Sequence, residues 1–132
     1  MHVIFSADHD ETWGFPGKQA PSKGKSMKHL SIKITVSPEK RKELIQTFKA
    51  LLGPIRSEQG CLSCNCSLDL EAEEVLFFTE EWSCRKELET HLKSVHFGVL
   101  MGAMKLLTKE PEIRFDTIAS TAGAEVISAL RC

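Results

Sequence analysis

The chain is 132 residues long, 42% hydrophobic and 27% charged, which suits one globular domain with its own core and excludes wholesale disorder. Seventeen basic residues against 18 acidic ones leave a net charge of −1, so no basic excess exists to draw in nucleic acid or an anionic membrane surface. The longest apolar runs fall well short of the roughly 18 residues that a bilayer-spanning helix needs.

The five cysteines are odd in number and clustered, unlike a disulfide framework. The opening Met1-His2-Val3-Ile4-Phe5-Ser6-Ala7-Asp8-His9-Asp10 has a short apolar run followed by acid rather than the basic start and long apolar region of a signal peptide. A cytoplasmic protein with reduced thiols is expected.

Residues 1–27 read as a linker-like N-terminal extension, rich in Gly, Pro and Lys between Gly14 and Lys28. Asp8-His9-Asp10-Glu11 in that stretch offers metal-ligand chemistry, but a solvated acidic run is the favoured reading, since nothing nearby fixes its geometry. The regular domain spans 28–120. Leu30, Ile32, Ile34 and Val36 alternate with polar residues, the period of a half-buried strand. Ser37-Pro38 is a helix start, with an N-cap residue and Pro at the first helical position. Leu44, Phe48, Leu51, Leu52 and Ile55 then form one amphipathic stripe. A second strand follows Gly60, from Cys61 to about Leu70, and Glu71-Ala72-Glu73-Glu74 makes the turn into a third, Val75 to Trp82. Ser83 can cap the next helix, whose apolar face is Leu88, His91, Leu92 and Val95. Phe97, Leu100, Met101, Met104 and Leu107 keep helical spacing despite Gly98 and Gly102. Pro111 ends that stretch, Ile113–Ile118 is a fourth strand, and 121–132 is a short tail. The order β-α-β-β-α-β defines an α+β, ferredoxin-like sandwich.

The third strand is apolar on both faces, Val75 and Phe77 on one side and Leu76, Phe78 and Trp82 on the other. Helices in a two-layer fold cover only one sheet face. The other calls for a second copy, hence a homodimer, or for the N-terminal extension as a lid.

Gly60-Cys61-Leu62, Glu80-Glu81-Trp82 and Leu88-x-x-His91-x-x-Ser94-x-His96-Phe97 together resemble the antibiotic biosynthesis monooxygenase (ABM) domain over about residues 28–120. That family includes cofactor-independent oxygenases of aromatic polyketides and quinol monooxygenase-like proteins, and related members that isomerise small phosphorylated sugars or degrade haem. The resemblance implies a dimeric α+β barrel. It also implies a site in which His91 and Glu80 are the catalytic candidates and Trp82, Phe78, His96 and Phe97 contact the substrate.

The residues themselves allow two readings at each of these positions. His91 lies in an apolar helical stripe and titrates in the neutral range, so it is a base or a core histidine satisfied by Glu80 or a backbone carbonyl. Glu80, between Phe78 and Trp82 on one strand face, orients His91, acts as a base itself, or pairs with Arg85 or Lys86. Trp82 and Phe78 could stack on a flat substrate or simply fill the core, and His96 lines a pocket mouth or caps a helix. Phe78 stands where some family oxygenases carry a pocket amide, which speaks against anthrone oxygenation and haem degradation. Cys61-x-x-Cys64-x-Cys66 has zinc-knuckle spacing but falls in a strand, with Cys61 expected opposite to Cys64 and Cys66, so buried thiols are favoured over a metal site.

The function expected is therefore oxidation of a small phenolic or quinol-like molecule by molecular oxygen, base-assisted and without flavin or metal cofactor. The alternatives are a non-catalytic small-molecule binding module of the same fold, or an isomerase of a small polar metabolite.

Overall fold

The computed structural model describes residues 2–5 and 26–131. Nine elements follow in chain order: β1 (His2–Phe5), β2 (Met27–Thr35), α1 (Pro38–Arg56), β3 (Cys61–Leu68), β4 (Val75–Trp82), α2 (Arg85–Leu92), α3 (Val95–Met104), β5 (Glu112–Ile118) and α4 (Glu125–Arg131). The sheet order is β1-β5-β2-β4-β3. Its last four strands, all antiparallel neighbours, are the sheet of a split β-α-β fold, in which each crossover passes over one intervening strand.

The alternation in β2 works as expected. Leu30, Ile32 and Ile34 are fully buried and Val36 nearly so, while Lys33 is exposed. Register places Ile32 between Phe78 of β4 and Ile113 of β5, so one apolar face runs across three strands. Helix α1 lays Leu44, Phe48, Leu51 and Ile55 on that face, and Phe48 meets Phe78 edge-on at 5.3 Å between ring centroids. Pro54 sits in the last turn of α1 and the helix continues to Arg56; only one backbone bond is forfeited there.

Several details go beyond the expected outline or depart from it. His2–Phe5 is a strand rather than linker, pairing in parallel with β5 from His2↔Glu112 to Phe5↔Phe115. The Asp8–Glu11 run lies outside the described residues. The long second helix is two: α2 ends at Leu92 with Lys93 as its C-cap, and Ser94 starts α3 by accepting a hydrogen bond from Phe97 N at 3.2 Å. Val95, placed by periodicity on the buried stripe, is consequently 81% exposed. The tail forms α4, none of whose residues is buried.

The open face of the sheet is also more polar than the third strand implied. Val75 is buried and Phe77 half-buried there, but the neighbours of Phe77 across the sheet are Lys33 and Ser67, and Thr79 and Glu81 complete the strand face. Two polar pairs cross this face, His29 with Asp116 at 4.0 Å and Lys33 with Glu112 at 3.8 Å. An apolar sheet face therefore does not by itself demand a second copy.

Candidate active site

The only fully buried polar or charged residues among those described are Glu80 and His91. They meet because Glu80 points inward from β4, in register with Leu30 and Cys64, while His91 lies in the last turn of α2 against the same face. His91 Nε2 is 2.9 Å from Glu80 Oε1 and 3.0 Å from Oε2. The indole Nε1 of Trp82 donates to Glu80 Oε1 at 2.8 Å. The imidazole stacks on the Trp82 ring at 4.4 Å between centroids, and Phe97 closes on it edge-on at 5.3 Å.

The other nitrogen of His91 is also occupied. Glu58, in the turn after α1, brings Oε1 to 3.0 Å and Oε2 to 3.1 Å from Nδ1. The same Oε2 lies 2.9 Å from Nδ1 of His96, in the first turn of α3. A continuous polar line thus runs from Trp82 through Glu80, His91 and Glu58 to His96. Glu58 is only 17% exposed, and the His96 side chain is 40% exposed. Among the described residues no buried side-chain nitrogen or oxygen lacks a partner.

The turn that carries Glu58 is held by Gly60, whose φ is +85°, a left-handed conformation that favours glycine. Gly60 packs against Ser83 and Glu87 without room for a Cβ, and its carbonyl accepts from Ser83 N at 2.8 Å. This docks the turn onto the start of α2 and brings Glu58 over His91.

Burial alone would push the pKa of His91 down. The hydrogen bond and charge of Glu80, followed by those of Glu58, outweigh it and raise the value above the ordinary 6.5. His91 therefore holds its proton more tightly than a free imidazole does. A base needs a lone pair facing its substrate, and both ring nitrogens of His91 are taken inside the protein.

Of the residues read from sequence, Glu80, His91, Trp82, His96 and Phe97 converge on one cluster. Phe78 shares the strand face but packs on Phe48 instead. Trp82 and Phe78 are both fully buried, so their rings face the protein's own groups. The ion pairing of Glu80 with Arg85 or Lys86 is not found; Arg85 pairs with Glu89 at 2.8 Å. Glu58 was not anticipated, because it belongs to a turn with no periodic signal and meets His91 across 33 positions of sequence.

The cysteine geometry differs from the expected one. A β-bulge at Leu62 sets Cys61 opposite Trp82 while Cys64 opposes Glu80. The extra residue turns Cys61 to the inner face beside Cys64 and Cys66, not away from them. All three thiols are held above their ordinary value, chiefly by burial, with the charge of Glu80 adding at Cys61 and Cys64. Protonated thiols are poor metal ligands, and no cluster of three or more His, Cys, Asp or Glu suited to a metal occurs among the described residues.

The fold and this cluster define an α+β sandwich domain with a buried acid–imidazole line that emerges at one half-exposed histidine. The sequence profile of the family described as "Antibiotic biosynthesis monooxygenase" (ABM) matches residues 27–102. The chain belongs to that family. It is 33% identical over 89 residues, 67% of its length, to an uncharacterized protein of Synechocystis sp., of which it spans 60%. A conserved protein of Methanosarcina mazei superposes with a TM-score of 0.64 at 30% identity, over 70% of this chain and 92% of that one. A Deinococcus radiodurans candidate antibiotic biosynthesis monooxygenase shares the fold with a TM-score of 0.68 at 23% identity, over 73% of this chain and 96% of that one. A Bacteroides thetaiotaomicron protein, described as a possible oxidoreductase, does so with a TM-score of 0.63 at 23% identity, over 72% and 98%.

Proposed function

We propose that this protein is an oxygenase of small phenolic or quinol-like molecules that works without flavin or metal, with His96 as the group that takes the substrate proton. One observation carries the reading: the Nδ1 side of His96 is held by Glu58 at 2.9 Å, while its ring reaches solvent and Nε2 has no partner among the described residues. This is the arrangement of a base oriented by a carboxylate. Membership of the ABM family supports oxygen chemistry in general terms.

In the reaction proposed, the phenolic O–H bond breaks and its proton forms an N–H bond at His96 Nε2. The phenolate supplies electrons to O₂. Across a full turnover the substrate loses two hydrogens and gains one oxygen atom, and the second oxygen leaves as water. His91 and Glu80 belong to the support of this site in this reading. Their burial leaves them no direct contact with a substrate. Phe97, half-buried and packed on His91, is the aromatic candidate for the substrate side.

The proposal extends to a cytoplasmic homodimer, with the half-buried Phe77 face turned to its copy. No helix among the described residues is long and apolar enough to cross a membrane. The second reading, a non-catalytic binding module, is favoured by one fact, the complete burial of Trp82, Phe78 and His91.

Oxygen uptake by the purified chain with a panel of quinols and phenols decides between them, together with ¹⁸O₂ labelling of the product. Consumption that carries one labelled oxygen into product, and that falls roughly 10²–10⁴-fold in His96→Gln, is expected. Saturable binding of the same compounds without oxygen uptake would transfer the function to the binding module.

A further inference from the structure

We propose that Glu58 is the positioning residue that sets which nitrogen of His96 bears the proton. The inference rests on the reading of His96 as proton acceptor given above, and deepens it by assigning how the acceptor nitrogen is made available.

Hydrogen-bond donation along the buried line has a defined direction. An indole N–H can only donate, so at the 2.8 Å contact Glu80 must accept. Glu80 as a carboxylate has only acceptor capacity left, so His91 Nε2, 2.9 Å from Oε1, must donate. Nδ1 of the same ring faces the carboxylate of Glu58 at 3.0 and 3.1 Å. A ring clasped by two carboxylates and fully buried carries both protons, so Nδ1 donates as well. Glu58, with a buried cation as counter-charge, stays an acceptor. Its Oε2 is 2.9 Å from His96 Nδ1, which must therefore carry a hydrogen.

A neutral imidazole has one N–H. With Nδ1 protonated, the lone pair of His96 is on Nε2, the nitrogen with no internal partner. The opposite polarity would require Glu80 to be the protonated acid, accepting from the indole at Oε1 and donating from Oε2 to His91 Nε2, and a lone pair on His91 Nε2 would be its signature. Glu58 is the acceptor that both imidazoles share, and it turns a buried charge pair into a defined tautomer at the surface.

Glu58→Gln reverses the last link. A single amide oxygen accepts from His91, leaving the NH₂ group to donate to His96 Nδ1. The lone pair then moves to Nδ1 and the proton to Nε2. Two-bond ¹⁵N–¹H correlation on histidine-labelled protein reads this directly, with the His96 signals assigned by their loss in His96→Gln. In the parent, His91 should show two protonated nitrogens and neutral His96 an unprotonated Nε2. Glu58→Gln should move the His96 proton to Nε2 and lower phenol turnover roughly 10²–10⁴-fold, the range for loss of a proton-transfer group. Glu58→Asp, which is still acceptor-only, should keep the parent tautomer.

A parent His96 protonated on Nε2, a lone pair on either nitrogen of His91, or an unchanged His96 in Glu58→Gln would each overturn the assignment. Should Glu58→Gln fail to fold, the parent spectrum alone decides. A parent that oxidises no phenol sinks the proposed function, while the tautomer measurement still tests Glu58 by itself.

Discussion

Replacing His91 with Leu removes the imidazole paired with the fully buried Glu80 carboxylate. Glu80 would keep a single donor, the Trp82 indole at 2.8 Å, and no route to water. Breaking a buried ion pair from one side costs about 3–5 kcal/mol, because the remaining charge stays desolvated and uncompensated. That is a large share of the roughly 5–15 kcal/mol that holds a domain folded. With a urea slope of about 1.5 kcal/mol per molar, the unfolding midpoint should fall by ~2–3 M. Circular dichroism in urea measures this, with one further variant as control. Glu80→Gln combined with His91→Leu replaces the stranded charge with a neutral amide, and should be more stable than His91→Leu alone by about 1–3 kcal/mol. A pocket-facing imidazole predicts something different: truncation at little cost, and no rescue by the second change. A loss under about 1 kcal/mol, or a double variant less stable than the single, would refute the buried-pair argument.

Stability should also depend on pH in a defined window. The folded His91 has a raised pKa, so its contribution is complete below the unfolded value near 6.5 and is lost as pH rises through the folded one. The Cys61, Cys64 and Cys66 thiols, also raised, act in the same direction but only from about their unfolded value of 9.0. A urea midpoint that declines between pH 6.5 and 8, and a flat one in His91→Gln, are expected; a rising midpoint in the parent would contradict the sign. Gly60→Ala forces a side chain into a φ of +85° against Glu87 and Ser83 and should cost about 1–3 kcal/mol; a neutral effect in thermal melts would remove Gly60 from the account of how Glu58 is placed.

The parts of this molecule legible in its sequence are those governed by short periods. The two-residue alternation from Leu30 to Val36 and the stripe Leu44, Phe48, Leu51, Ile55 define elements whose burial follows directly. Glu80, His91 and Trp82 were readable as inward-facing for the same reason. What escaped depends on single residues that interrupt a period. Leu62 adds one residue to β3 and turns Cys61 inward. Ser94 caps a new helix and leaves Val95 in solvent. Glu58 carries no periodic signal, and its role depends on a contact across the whole β-hairpin. The polar part of the open sheet face was not legible from one strand alone, because the neighbouring strands supply Lys33 and Ser67 beside Phe77.

The interruption at Ser94 sets the phase between the two imidazoles. Five residues along an unbroken α-helix turn a side chain through about 500°, leaving it roughly 140° away from the first. Histidines at 91 and 96 on one straight helix would point to different sides and share no partner. Because the axis changes between Leu92 and Val95, both rings arrive at one carboxylate. The corner therefore acts as a phasing joint, and its length is a variable separate from the chemistry on either side. A residue added or removed between Leu92 and Val95 would rotate the surface imidazole away from its acceptor while leaving the buried pair intact. Relatives with a different corner length would keep the inner charge pair and lose its outlet.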